Sequence, residues 1–246
     1  MDAKKAVPIN DIPIKYLKLA GTTIFKFLPD LFNTCILDSG YPDDLNIAQI
    51  IPIHKSGSKE CCSNYRPISI LPEINKVFEK LLYSRLYCYV ETNELLSPSQ
   101  YGFREGTSTE LAINEVYKYY LHNLDQGLAT CSIFLDLSKA FDTVNHKTFT
   151  EMLEKQYGIR GLSLKLFENY LANQTHFRNT VSIEDIQSQK ASVTCGVPQG
   201  SNLGTLFFLL YVNDITHVSK SKTTLFADDT VLSFSAKSVI GLKKKG

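Results

Sequence analysis

Apolar positions along this 246-residue chain switch repeatedly between a helical period and a strand period. Over residues 22–39, Phe25, Leu28, Phe32, Cys35 and Ile36 recur at helical spacing, with Pro29 a point for a kink and Gly40 the stop. Residues 48–53 read as a strand, and Pro52, which has no N–H for the ladder, assigns it to a sheet edge. Ile74, Val77, Phe78, Leu81, Leu82 and Leu86 mark a long amphipathic helix that Pro72 can open. Thr107 and Glu110 fit a capping box that starts another helix through Leu111, Val116 and Tyr120. Residues 131–137 are a mostly apolar run of strand length, which predicts a place near a sheet centre. Helices around Phe149 and Leu153 and around Leu166 to Leu171 follow, then two strands, 177–183 and 190–193, about the acidic turn Glu184-Asp185. A helix over 203–212 leads to the last pattern, 223–234, in which two β-branched arms flank Asp228-Asp229 as a hairpin with the acids at its tip.

Five polar features interrupt these patterns. Asp228 and Asp229 are adjacent like charges between apolar arms. They repel and lose hydration together unless a cation such as Mg²⁺ joins them; Phe226-Ala227-Asp228-Asp229 alone also fits an ordinary Asp-Asp turn. Asp136 lies inside the apolar run, where a carboxylate has to be paired, hydrogen-bonded or metal-bound, or else cap the next helix. Arg66 precedes Pro67, which keeps it out of the helical region and presents its guanidinium on extended chain, a shape suited to phosphate or to pairing with a surface acid. Gly196-Val197-Pro198-Gln199-Gly200-Ser201 is a turn whose two glycines permit close backbone approach. Its Gln199 offers both a donor and an acceptor. Arg104 reads equally as a contact to a nucleic-acid backbone and as a plain surface charge.

Composition adds little. The charges nearly cancel, Lys+Arg 26 against Asp+Glu 25, which argues mildly against a non-specific DNA binder. The longest apolar run, Leu206 to Val212, is far short of the roughly 20 residues of a membrane helix, and no signal-like core follows the N-terminus. A cytoplasmic or nuclear location, not a secreted one, is the expectation, with no membrane partner. The six cysteines show no CxxC and no His at ligand spacing, so Cys61-Cys62 reads as two free thiols rather than a metal remnant.

Six stretches taken in order resemble the reverse transcriptase domain of non-LTR (LINE-type) retrotransposons. They are Ile51-Pro52-Ile53-His54-Lys55, Asn64-Tyr65-Arg66-Pro67-Ile68-Ser69, Gln100-Tyr101-Gly102-Phe103-Arg104, Phe134-Leu135-Asp136-Leu137-Ser138-Lys139-Ala140-Phe141-Asp142, Gly196 to Ser201, and Phe226-Ala227-Asp228-Asp229. Lys139-Ala140-Phe141-Asp142 and Tyr211-Val212-Asn213-Asp214 look more like this type than like group II intron or bacterial enzymes.

The resemblance implies an α+β, right-hand polymerase fold of fingers and palm, with an antiparallel palm sheet carrying Asp136 beside Asp228 and Asp229. It implies RNA-directed DNA synthesis, in which a primer 3′-hydroxyl attacks a dNTP on an RNA template paired to a DNA primer. Two Mg²⁺ ions (Mn²⁺ as substitute) about 3.5–4 Å apart stabilise the entering and leaving oxygens. Asp136 and Asp228 would bridge them, with the Leu137 carbonyl assisting and Asp229 as accessory ligand. Arg66, and with it Lys55, would hold the triphosphate; Phe141 would lie under the sugar and select deoxynucleotides; Gln199 and Gly200 would touch the incoming nucleotide.

The chain also departs from the family pattern. Thr205 stands where the family usually has Pro, and Asn173-Gln174-Thr175-His176 where it commonly has an Arg and a Gln. The chain ends 17 residues (246 − 229) after Asp229. The expected organisation is a helical extension over 1–42, fingers and palm over 43–235, a basic tail over 236–246 unlike the family, a missing thumb and no preceding endonuclease. The alternative is a truncated, non-catalytic retroelement remnant that at most binds nucleic acid. The sequence is silent on oligomeric state.

Overall fold

A computed structural model describes residues 11–137, 139–172, 180–183, 186–187, 195–218 and 221–242. The predicted segments 177–179 and 190–193, and the departure at 173–176, lie outside them. The chain divides into two compact units, Met1–Tyr89 with Phe141–Phe207, and Val90–Ala140 with Phe208–Gly246. Helices and small, largely antiparallel sheets make up both, an α+β organisation.

In the first unit, α1 (Ile14–Leu37) is two helical pieces joined at Gly21, whose φ of 53° breaks the run. Pro29 sits inside the second piece, within the helix expected over 22–39. Leu28, Phe32 and Cys35 are buried as the period predicts, whereas Phe25 is half exposed. Ser39 takes a left-handed conformation just after the helix, and the Gly40 N–H donates to the Cys35 carbonyl. Strand β1 (Gln49–His54) pairs antiparallel with β2 (Tyr65–Ile70), from Gln49↔Ile70 to His54↔Tyr65. Two residues, Gln49 and Ile50, also pair in parallel with β4 (Thr180–Ile183), which pairs with β5 (Ile186–Gln187). The order β2-β1-β4-β5 makes β2 the edge and corrects the assignment of Pro52 to an edge strand. Pro52 is tolerated because β4 reaches only as far as Ile50.

Helix α2 (Glu73–Thr92) follows Pro72, and the Glu73 N–H is capped by the Asp11 carboxylate at 2.8 Å. Its buried face carries Phe78, Leu82 and Leu86 as expected, but also Asn75 and Glu79, both essentially inaccessible. Phe78 stacks on Phe32, and Tyr41 packs against Phe78 and edge-on to Tyr170 of α5 (Gly161–Ala172). Phe207 of α6 (Asn202–Val212) is in ring contact with Phe149 of α4 (His146–Lys155) and with Phe167 and Tyr170 of α5. Into this apolar setting the Glu79 carboxylate is drawn by two hydroxyls. Tyr170 donates to Oε1 and Ser201 to Oε2, each at 2.8 Å. The Tyr41 hydroxyl donates to the Asn75 side-chain carbonyl.

In the second unit, β3 (Ala129–Asp136) pairs antiparallel with β7 (Asp229–Ala236), which pairs with β6 (Lys222–Phe226). The order β3-β7-β6 puts β3 at an edge, largely exposed, with Phe134 73% accessible. This corrects the expectation of a central strand: β7, which follows the hairpin turn, is the strand flanked on both sides. Helix α3 (Thr109–Asp125) packs on this sheet through hydroxyls: Tyr120 donates to Ser132 at 2.5 Å, Ser132 meets Ser233 at 2.7 Å, and Tyr119 donates to Ser235 at 3.3 Å. Its cap is Ser108, whose Oγ accepts from the Leu111 N–H. Thr107 is turned back onto the Tyr101 and Arg104 carbonyls instead, so the expected capping box does not form: Ser108 caps alone, with Leu111 rather than an acid three residues on.

Burial pushes the Glu79 carboxyl from its ordinary 4.5 up to about 7, against the hydrogen bonds of Ser201 and Tyr170, which pull it down. The fold thus keeps this proton where the unfolded chain has released it, and stability falls as pH rises from about 4.5 to about 7. The loss amounts to roughly 3 kcal/mol. Urea unfolding between pH 5 and 8 is expected to show that decline in the wild type and to lose it in Glu79→Gln. His146, held below its ordinary value by burial, acts in the opposite sense but is common to both proteins. A wild-type-to-variant difference that does not change with pH would contradict the assignment.

Candidate functional site

The three predicted carboxylates all lie in the second unit. Asp136 ends β3 and stands directly opposite Asp229, the first residue of β7. Antiparallel partners have Cα atoms about 4.5–5.5 Å apart and project their side chains to the same face. Phe226 pairs with Asp229 across the β6–β7 hairpin, so the two-residue tip is Ala227-Asp228, and Asp229 already belongs to the strand. Ala227 has a φ of 58° and Asp228 does not share it, the pattern of a type II′ turn. Asp136 and Asp229 are exposed and Asp228 half-buried. The sequence argument that burial forces a partner on Asp136 therefore fails. The cross-strand opposition of like charges replaces it, because such a pair is destabilising unless a cation lies between. Among the described residues no three His, Cys, Asp or Glu side chains are close enough to form a ready-made metal cage. Mg²⁺ requires less than that, one or two carboxylates with substrate phosphates supplying the rest, and the hard oxygen donors at hand suit it.

A clasp that the sequence reading missed fixes the hairpin tip. The segment before α3 runs beside β6: the Leu225 N–H donates to Ser99 O and the Tyr101 N–H to Leu225 O, both at 2.8 Å. The buried Gln100 side-chain carbonyl then accepts from the N–H groups of Gly102 (2.7 Å) and Ala227 (3.1 Å). A Cβ at Gly102 would sit 2.1 Å from the Ala227 nitrogen, so only glycine fits. Asn213 ties the neighbouring loop, accepting from Ser97 N–H and donating to Leu95 O. Arg104 is part-buried and paired rather than a free surface charge. It forms a fork on Glu91, two bonds of 2.8 Å, and donates to Ser97 O at 3.0 Å.

The predicted nucleotide-handling residues all fall in the first unit. Arg66 lies on β2 opposite Ile53, exposed and with no acid paired to it among the described residues. Lys55 follows β1, its N–H donating to Asn64 O. The turn 196–201 is held from several directions. The Ser69 N–H donates to Gln199 O (3.0 Å), the Gln199 amide to Asp142 Oδ1 (3.2 Å), and the Val197 N–H to the carbonyl of Phe141 (2.7 Å). His146 Nε2 lies 2.7 Å from Gly196 O. A Cβ at Gly196 would fall 2.8 Å from the Asp142 Cα, so the two backbones meet there because that residue is glycine. Glu79 completes the support through Ser201. It was legible as a carboxylate on the apolar stripe of α2, one turn after Asn75, and the sequence reading passed it over. Leu137 is half-buried just past Asp136, and Gly200 is exposed.

Removing the freedom of Gly102 tests the clasp. Gly102→Ala is expected to destabilise the second unit by about 1–3 kcal/mol, because backbone rather than a flexible side chain must yield. A chemical-denaturation midpoint unchanged from wild type would contradict the close approach.

The reverse transcriptase (RNA-dependent DNA polymerase) family matches residues 53–244. Among curated proteins of Drosophila melanogaster, the probable RNA-directed DNA polymerase from transposon X-element is 32% identical over 227 residues, 90% of this chain and 24% of that protein. The probable RNA-directed DNA polymerase from transposon BS is 28% identical over 95% of this chain and 26% of its own length, and the RNA-directed DNA polymerase from mobile element jockey 29% over 96% and 26%. The chain thus spans about a quarter of these relatives. With a family match over most of its length and collinear relatives from mobile elements, the chain belongs to the reverse transcriptase family, as a domain of the non-LTR retrotransposon (LINE) type.

Proposed function

We propose that this domain extends a DNA primer on an RNA template by transferring nucleotidyl groups from dNTPs, with Asp136, Asp228 and Asp229 holding two Mg²⁺ ions. The observation that carries the reading is the register pair Asp136↔Asp229 beside the Ala227-Asp228 tip. It keeps like charges opposed at the end of a small sheet, an arrangement with a cost and no structural return. Bound Mg²⁺ would supply charge neutralisation at the entering and leaving oxygens of the α-phosphate. The three carboxylates orient that charge, with the Leu137 carbonyl as a further oxygen donor. In this reading the sheet β3-β7-β6 is the palm sheet and the β1–β2 hairpin belongs to the fingers.

The remaining roles follow from chemistry. Arg66, charged and with no acid partner among the described residues, is suited to the triphosphate, with Lys55 as a second cation. Phe141 would lie under the sugar and exclude a ribose 2′-hydroxyl. Gln199 and Gly200 would contact the incoming nucleotide. Template and primer would be gripped mainly at phosphates, so binding weakens as salt rises.

Primer extension on poly(rA)/oligo(dT) with Mg²⁺ tests the reading. Asp136→Asn and Asp228→Asn are expected to lower the rate at least about a thousandfold, since several kcal/mol of transition-state stabilisation is removed. In metal-free buffer Asp136→Asn is expected to unfold no more easily than wild type, because it relieves a repulsion of roughly 0.2–1 kcal/mol. Mg²⁺ should then stabilise wild type but not the variant. Full extension by Asp136→Asn would overturn the assignment. Arg66→Ala is expected to raise the KM for dNTP about tenfold or more by loss of charge-assisted hydrogen bonds, with Arg66→Lys intermediate. Equal KM values in all three proteins would remove Arg66 from the site.

A further inference from the structure

Glu79 is 1% accessible, and a carboxylate so buried is costly unless its partners make a specific use of it. Its two oxygens are shared between α5 and the entrance to α6, where Ser201 ends the turn that carries Gln199 and Gly200. Ser201 is committed on every side: Oγ donates to Glu79, accepts from the Gly204 N–H at 3.0 Å and lies 3.3 Å from the Tyr170 hydroxyl, and its carbonyl accepts from Thr205. We propose that Glu79 is a positioning residue for nucleotide recognition, its carboxylate fixing Ser201 and through it the pose of Gln199 and Gly200. This rests on the reading of those two residues as nucleotide contacts.

The groups facing Glu79 are the hydroxyls of Tyr170 and Ser201, then Asn75 and Lys76 of its own helix; the charge of Glu79 is also felt at Tyr41. The Lys76 ammonium is itself 2.7 Å from Glu73. As an anion Glu79 accepts from both hydroxyls. Once protonated, one of its oxygens turns from acceptor to donor, and either Tyr170 or Ser201 loses its acceptor. Burial brings that exchange near neutral pH. The turn is therefore held most firmly above pH 7 and loosens below it. The opposite flank, His146 on Gly196 and Asp142 on Gln199, does not involve Glu79.

Two readouts test this on the full chain: the dNTP KM and kcat of primer extension, and amide hydrogen exchange over residues 195–205, each from pH 6 to 8. For wild type the KM is expected to rise about fivefold toward pH 6, the worth of one hydrogen bond, with protection in the turn falling once the intrinsic slowing of exchange at lower pH is divided out. Glu79→Gln should show the raised KM at pH 8 and no further change, with kcat at pH 8 within about twofold of wild type, as expected for a group that acts on binding. Ser201→Ala breaks the same link from the other side, should behave likewise, and serves if Glu79→Gln does not fold. Wild-type and Ser201→Ala proteins with the same KM and the same exchange at pH 8 would overturn the proposal. Exchange that responds to pH and to these variants in a protein that extends no primer would leave Glu79 as the support of the turn and refute the polymerase reading instead.

Discussion

The second unit depends on one register. Eight consecutive pairs, from Ala129↔Ala236 to Asp136↔Asp229, lock β3 against β7. Side chains alternate strictly along a strand, so a slip of one residue would send Asp136 to the other face and away from Asp229. Hydroxyl contacts reinforce that register alongside apolar pairs such as Ile133↔Leu232 and Phe134↔Val231. Ser132 meets Ser233 across the strands, and Tyr120 reaches Ser132 from α3. The Gln100 clasp does the same for the hairpin, pinning the Ala227 N–H so that the tip holds a positive φ that a non-glycine residue adopts at some cost.

The first unit spends its internal polar groups differently. Its core is aromatic, with Phe78, Tyr170 and Phe207 nearly inaccessible, and a carboxylate is buried among them. Burying a carboxylate costs hydration, and the two hydroxyl bonds to Glu79 offset part of that cost. One of these bonds ends on Ser201, at the foot of the turn whose other flank is tied by Ser69, Asp142 and His146. A largely buried turn with this much support is a rigid segment rather than a loose connection.

Several sequence expectations needed correction, each for a local reason. The run Cys131-Ser132-Ile133-Phe134-Leu135 looks like a central strand because continuous apolar stretches usually are buried on both faces. Here the strand is an edge, and Phe134 is left mostly accessible. Thr107 and Ser108 are equally good caps by type, and the choice fell to Ser108 because Thr107 is used by the Arg104 and Tyr101 carbonyls. Arg104 found its partner, Glu91, 13 residues back on α2, a pairing that helical spacing cannot anticipate.

What the chain alone determined is whatever is local or periodic: the helices, the β6–β7 hairpin, the adjacent acids near its tip, the turn 196–201, and a motif order distinctive enough to imply the family. Those follow from spacing and from residue types whose backbone preferences act within a few positions. Only the tertiary structure decided which strand is central, that Asp136 faces Asp229 rather than Asp228 across the ladder, that Gly102 must yield its side chain to Ala227, and that Glu79 and Ser201 share a proton-sensitive bond 122 residues apart. Such contacts depend on register and on long-range closure, and neither leaves a trace in the pattern of one segment.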